Sequence, residues 1–572
     1  MTDQIDTSLP EVKLRPPSEV MQLTRLGSSF QTRISFMRQL IRRMNHENWH
    51  IKQEFFLLND EGHGKALYIV STPKRSYSLV CFSHYLEPNR RTDRVIADAW
   101  DATFSLFDGK PCHSDINRLE SQTPLQEAGR FHASELVMSR ANKSLRLFDY
   151  VMNSLASGTQ PKADVINEIG YLMRTTAVYA NGKFGMADRT NYANRSELMQ
   201  PYQAEMLTVY MIRKFSLDLV EHVAQRKNCR KFVPLDRRLK RHIGIGNATG
   251  LGMAPFLVSH PVLIHNWFHA RETALASIRS LEAPTPNQAN IFQKQIKQAA
   301  LHISEWNIED KAYMANITAL ENDVRFLIER TSKQTKFFEQ PRPWDTLYKM
   351  AVDNVCIEAQ ELLVSLILEP YPEYTDKLAH TLHVDREIPF DPSMSVVEFC
   401  SLIDHHYSWA LAVNFNDLRQ SKYFWYYSTE KIEPRRGMRR EEIGADKEMQ
   451  IAVARDIQSM REKLQSAKNQ EIMAVFLLRH PEFRHIVKRV LIRAQHEYSE
   501  IQDNMIGEKC RPIDILRCKL AFFGATKFDP KSDLWTRVTM FQGAPLDDEL
   551  SRDDKDNWGF PIKPVSKCYK YL

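Results

Sequence analysis

The chain is predicted to be mainly α, one large multi-helix domain with a small antiparallel β region near the N-terminus. Three observations lead there. Glycine is scarce, 19 of 572 residues, against about 7% in average proteins, and low glycine favours long helices. Beyond residue 115 apolar residues return every three or four positions, the spacing of one helical face. Only between 50 and 108 does the pattern break into short apolar runs separated by turn residues. With 43% apolar and 26% charged residues, the composition is that of a folded globular protein and excludes a mainly disordered, collagen-like or coiled-coil chain.

The elements follow from local pattern. Residues 1–30 are polar and carry Pro10, Pro16 and Pro17, which reads as an extended arm. A helix over 31–45 and strands at Glu54–Leu58, Ala66–Ser71, Tyr77–His84 and Asp101–Phe107 make a small α+β domain over 31–115, with Arg94–Trp100 as a helical interruption. Helical spacing then predicts 116–157, 163–180, 202–227, 261–282, 286–331, 343–369, 395–412, 447–467, 470–502 and 512–522, a large helical domain over 116–522 that would carry the site. The stretch 523–572 lacks periodicity and reads as an irregular tail packed on the helices.

Eight cysteines are scattered without a Cys-x-x-Cys pair, so neither a zinc ribbon nor a disulfide framework is indicated. No apolar run approaches the roughly 18 residues that cross a bilayer. The first residues, with Asp3, Asp6 and Glu11, lack the apolar core of a secretory signal. The expectation is a cytoplasmic protein without membrane contact, and homodimerisation is the prior for its oligomeric state.

Function is read from local anomalies. Gly244, Gly246, Gly250 and Gly252 fall within nine residues, a density that marks backbone making tight turns or close approaches. Upstream, Arg226–His242 holds eight Lys and Arg against one acid, Asp236, although the whole chain carries only +6. Bare amides beside guanidinium groups suit a carboxylate or phosphate, so Arg241, Gly246, Asn247, Thr249 and Gly250 are expected to bind substrate. The glycine spacing fits neither the dinucleotide fingerprint nor the P-loop. A tight connection between packed helices accounts for the same glycines.

A second cluster, Arg174 to Arg189, is read as a helix ending at Asn181-Gly182, with Arg174 binding the anion and Tyr179 or Lys183 moving a proton. The third, Tyr423 to Gly437, supplies an aromatic wall and a polar rim, with Tyr427 and Arg435 as candidates. His260 precedes a helix that Pro261 can begin and is a third proton carrier. Farther along that helix His265, His269 and Glu272 share a face and form a metal-ligand alternative. Glu135, Ser139, Asn142 and Lys143 are placed on one face of the helix 116–157 and read as surface ion pairs.

The function these features suggest is an enzyme acting on a small anionic carboxylate or phosphate by proton transfer with oxyanion stabilisation, of lyase or isomerase type, at a point where the three clusters converge. The alternatives are a metal- or haem-dependent oxidoreductase, with no cofactor otherwise indicated, and a non-catalytic helical scaffold or RNA-associated protein using the basic segment through Arg237, Arg238, Lys240 and Arg241. The absence of a broad basic stripe argues against nucleic acid as a partner.

Overall fold

The β part of the molecule is neither small, nor wholly antiparallel, nor confined to the N-terminal region, which corrects the expected fold class. The computed structural model describes residues 12–26, 30–87, 99–125, 132–180, 183–184, 194–249, 260–306, 308–333, 336–382, 390–414, 416–417, 425–428, 433–436, 448–450, 453–468, 470–502, 517, 520–532, 535–550 and 558–564. Among the described residues thirteen strands run in chain order: β1 (His50–Leu58), β2 (Gly64–Ser71), β3 (Ser76–Ser83), β4 (Ala102–Asp108), β5 (Glu135–Lys143), β6 (Tyr171–Ala180), β7 (Lys183–Phe184), β8 (Gly244–Thr249), β9 (Trp425–Ser428), β10 (Glu433–Arg436), β11 (Glu448–Gln450), β12 (Lys527–Ser532) and β13 (Trp535–Met540). Ten of them form one sheet in the order β1-β2-β3-β4-β5-β6-β8-β13-β12, with β7 hairpinned onto β6. The β6–β8 pair is parallel and the others are antiparallel.

Three stretches expected to be helix or tail supply this larger sheet. The stretch 116–157 divides into helix His113–Gln122, strand β5 and helix Leu147–Ala156. Expected helix 163–180 stops at Ile169 because Gly170 takes φ +86, a left-handed cap that ends the helix and starts β6. The tail contributes β12 and β13, and β13 pairs with β8. A parallel partner needs a long crossover, and the chain between β6 and β8 supplies it with helix Gln203–Lys227. That helix packs on the sheet, its Phe215 ring lying 5.4 Å from Phe104 and 6.1 Å from Phe56.

The remaining helices mostly lie where the periodicity puts them, with two long predictions broken in the middle. Pro286–Ser304 and Lys311–Lys333 replace 286–331, and Pro343–Asn354 and Ile357–Leu368 replace 343–369. Most of their buried side chains join the sheet in one large core, whereas Phe399, Ile403, Tyr407, Ile457, Met460, Phe476 and Val490 belong to a second core over 390–491. Residues 12–26 are tied down, with Val20 and Met21 fully buried. No helix among the described residues is long and apolar enough to cross a membrane.

Candidate functional site

The glycine cluster begins inside the sheet, which removes the loop role expected for its first half. β8 is paired on both edges, to β6 and to β13, so its amides are spent on ladder hydrogen bonds. Close packing accounts for its glycines. A Cβ on Gly246 would stand 2.7 Å from the Tyr171 ring, and one on Gly244 would stand 2.3 Å from the Met540 carbonyl. Asn247 faces the core and donates to Thr175 Oγ1 at 3.1 Å. Thr249 ends the strand, and Gly250 lies outside the described residues.

The basic segment is largely neutralised at its C-terminal end, in part by acids far away in sequence. Arg237 forms a bidentate pair with Asp548, at 2.7 and 2.8 Å, and also reaches Glu549. Arg238 pairs with Asp236 and Lys240 with Glu221. Arg241 donates to the Gly543 carbonyl and sits 3.6 Å from Glu549. Its guanidinium therefore holds the C-terminal segment.

Arg174 stands in a different setting, on β6 opposite Gly246 on one side and Asn142 on the other. Opposed residues share a face of a pleated sheet, and so do residues two apart on one strand. Arg140 therefore lies on the same face as Asn142 and Arg174, and so does Thr103, which opposes Arg140 across β4–β5. These groups are nearly sealed, Arg140 at 7% and Arg174 at 5% exposure. Residues 99–101 cross this face. Arg140 stacks on the Trp100 ring at 3.9 Å, Asn142 donates to the Ala99 carbonyl, and the Asp101 amide donates to Asn142 Oδ1 at 2.8 Å.

His84 completes the cluster. Its Nε2 lies 2.9 Å from Thr103 Oγ1, and its backbone amide donates to the Asp101 carbonyl. Burial, and then the neighbouring His63, pushes the His84 imidazole below its usual pKa, against a smaller opposing pull from Asp101. A neutral imidazole hydrogen-bonded to a hydroxyl on the face that carries Arg140 and Arg174 can accept a proton. Sequence reasoning missed Arg140 and His84. Helical spacing puts Glu135, Ser139, Asn142 and Lys143 on a helix, but they sit on β5, where alternation sends Asn142 and Ser139 to opposite faces.

The histidine helix carries no metal centre among the described residues, where no group of three His, Cys, Asp or Glu is placed to hold an ion. Glu272 is fully engaged by Arg15, at 2.7 and 2.8 Å, and by Arg271. His265 Nδ1 accepts the Tyr498 amide at 3.1 Å, which puts the neutral ring's proton on Nε2 and leaves no ligating lone pair. Burial, then His496, His269 and Arg493, push His265 down to about 3. His269 is exposed, its ring 5.4 Å from that of His265. His260 is the residue preceding helix Pro261–Arg279.

The other candidates are placed by backbone alone. Tyr179 opposes Met138 across β5–β6, and Lys183 opposes Ala180 in the β6–β7 hairpin, so both continue the element that carries Arg174. Tyr427 opposes Pro434, and Arg435 opposes Tyr426, in a separate sheet ordered β10-β9-β11. The first two clusters thus meet as neighbouring strands, while the third belongs to another sheet. No family model, curated protein or solved structure matches the chain.

Proposed function

We propose that the chain binds a small carboxylate- or phosphate-bearing molecule on the polar face of β4, β5 and β6, and moves a proton on it in a lyase- or isomerase-type reaction. Arg174 and Arg140 would hold the anionic group. A guanidinium presents several N–H donors in a fixed fork, so it can serve a structural partner and an oxyanion together. The Trp100 ring would keep the Arg140 fork flat. His84, held neutral, would take the proton, with Thr103 orienting it, and Tyr179 or Lys183 on the β6–β7 hairpin would return it. The observation that carries this reading is the placement of two buried arginines on one face of adjacent strands, since buried charge is costly and is retained where it is paired or used.

The test is calorimetric titration of the full chain with inorganic phosphate and with succinate. One of the two is expected to bind, and R174M and R140M should each weaken it roughly 10- to 100-fold, the value of a charged hydrogen bond of about 1.5–3 kcal/mol. R241M should bind as the parent does, because Arg241 serves Gly543 and Glu549. Equal binding by the parent, R174M and R140M would overturn the assignment.

A further inference from the structure

The eight cations of Arg226–His242 fall into two groups that behave differently. Arg237, Arg238, Lys240 and Arg241 each pair with an acid. Among the described residues, Arg230 and Lys231 are exposed and make no ion pair, Lys227 donates to the neutral Asn153 side chain, and Arg226 has only Asp60 at 3.6 Å. That last pair is worth little, with side chains 57% and 82% exposed.

These four cations sit on a fixed support. Helix Gln203–Lys227 ends at Lys227, and the following turn is closed by Phe232 N–H donating to the Asn228 carbonyl at 3.0 Å. Val233 N–H then donates to Leu155, and the Lys231 carbonyl would meet a Cβ on Gly158 at 3.0 Å, so the turn lies against the end of helix Leu147–Ala156. Lys162, in the neighbouring loop, is also exposed, and Asp60 lies at the margin, 3.6 Å from Arg226.

We propose that this basic knuckle, Arg226, Lys227, Arg230 and Lys231, is a docking surface for the phosphate backbone of nucleic acid. No large apolar side chain is exposed between 157 and 162 or between 221 and 242. A lipid surface is gripped through inserted apolar groups as well as charge, and a protein partner through buried aromatic and aliphatic anchors. A phosphodiester backbone can be held by cations without apolar anchors, through release of its condensed counterions. The inference is independent of the β4–β6 site, and it replaces Arg237–Arg241 with Arg226–Lys231 as the contacting group.

Fluorescence anisotropy of the full chain with a short labelled DNA duplex of arbitrary sequence, across a salt series, tests it. Four phosphate contacts predict a slope of log affinity against log salt of about −3 to −4. The variant R226Q/K227Q/R230Q/K231Q should lose most of that slope while keeping the parent's melting temperature, and R237Q should keep the slope. Lack of binding at low salt, an unchanged slope in the fourfold variant, or tighter binding to phosphatidylserine vesicles than to the duplex would each overturn the proposal.

Discussion

At the scale of single residues, Gly246 and His265 show how packing decides roles that composition suggested were chemical. In G246A the new methyl group would press on an aromatic ring pinned to the sheet, since Tyr171 is 7% exposed. A destabilisation of about 1–3 kcal/mol is expected from such overpacking, measured as a lower midpoint in urea with an unchanged slope. His265 makes a prediction about pH. Its folded pKa, about 3 against 6.5, is depressed, so its contribution to stability is complete above pH 6.5 and is lost as pH falls toward 3. Melting temperatures between pH 7 and 5 should decline less steeply in H265Q than in the parent. Glu361, held at about 2 because Arg15 and Arg271 overcome the effect of burial, contributes stability that is complete above pH 4.5 and is lost below it, so of the two only the His265 contribution changes between pH 7 and 5. Gly246 was legible in the sequence as a constrained backbone position. Whether it received a ligand or a ring was not, because the ring comes from Tyr171, on another strand.

At the scale of elements, the polar N-terminal segment is an internal clamp. Arg15 is 4% exposed and bridges Glu272 and Glu361 from two helices, while Tyr498 Oη donates to its carbonyl at 2.6 Å and Gln502 N–H donates to Met21 O. R15M would strand two buried carboxylates with fewer partners, and a loss of about 3–5 kcal/mol is expected from breaking such a group, read by chemical denaturation. Helices were the legible elements. Gln203–Lys227 and Pro261–Arg279 fall within a few residues of their apolar spacing. β5 and β6 were not legible, because strands buried on both faces lose the alternation that announces a strand, and Leu136-Val137-Met138 passes equally for a helical stripe. The Asn181-Gly182 pair was read as a helix stop, although the same dipeptide is a strong hairpin signal and β6 and β7 pair on either side of it.

At the scale of the whole molecule, the two larger of the three cores among the described residues predict two unfolding events, the smallest lying on the sheet itself around Val80 and Phe107. The core around Phe399, Met460 and Val490 shares no buried side chain with the larger one, and contact between them runs through groups such as His265 and His496, with rings 4.7 Å apart. Differential scanning calorimetry should resolve two transitions, and a single two-state endotherm would contradict the division. The charge pattern is also a property of the whole. The excess at Arg237–Arg241 looked like an invitation to a ligand because Asp548 and Glu549, which neutralise it, lie some three hundred positions later in the chain. Linear distance hid that pairing, as it hid the strand that completes the sheet.

That completing strand sets an order on synthesis. A ribosome finishes Gly244–Thr249 long before it reaches Trp535–Met540, so the nascent protein carries an open β edge through nearly half of its translation. Open edges recruit other chains. Polypeptides released early, after residue 502 for example, are expected to self-associate through the β8 edge, whereas those that include the last hairpin pair that edge and should associate less in light scattering.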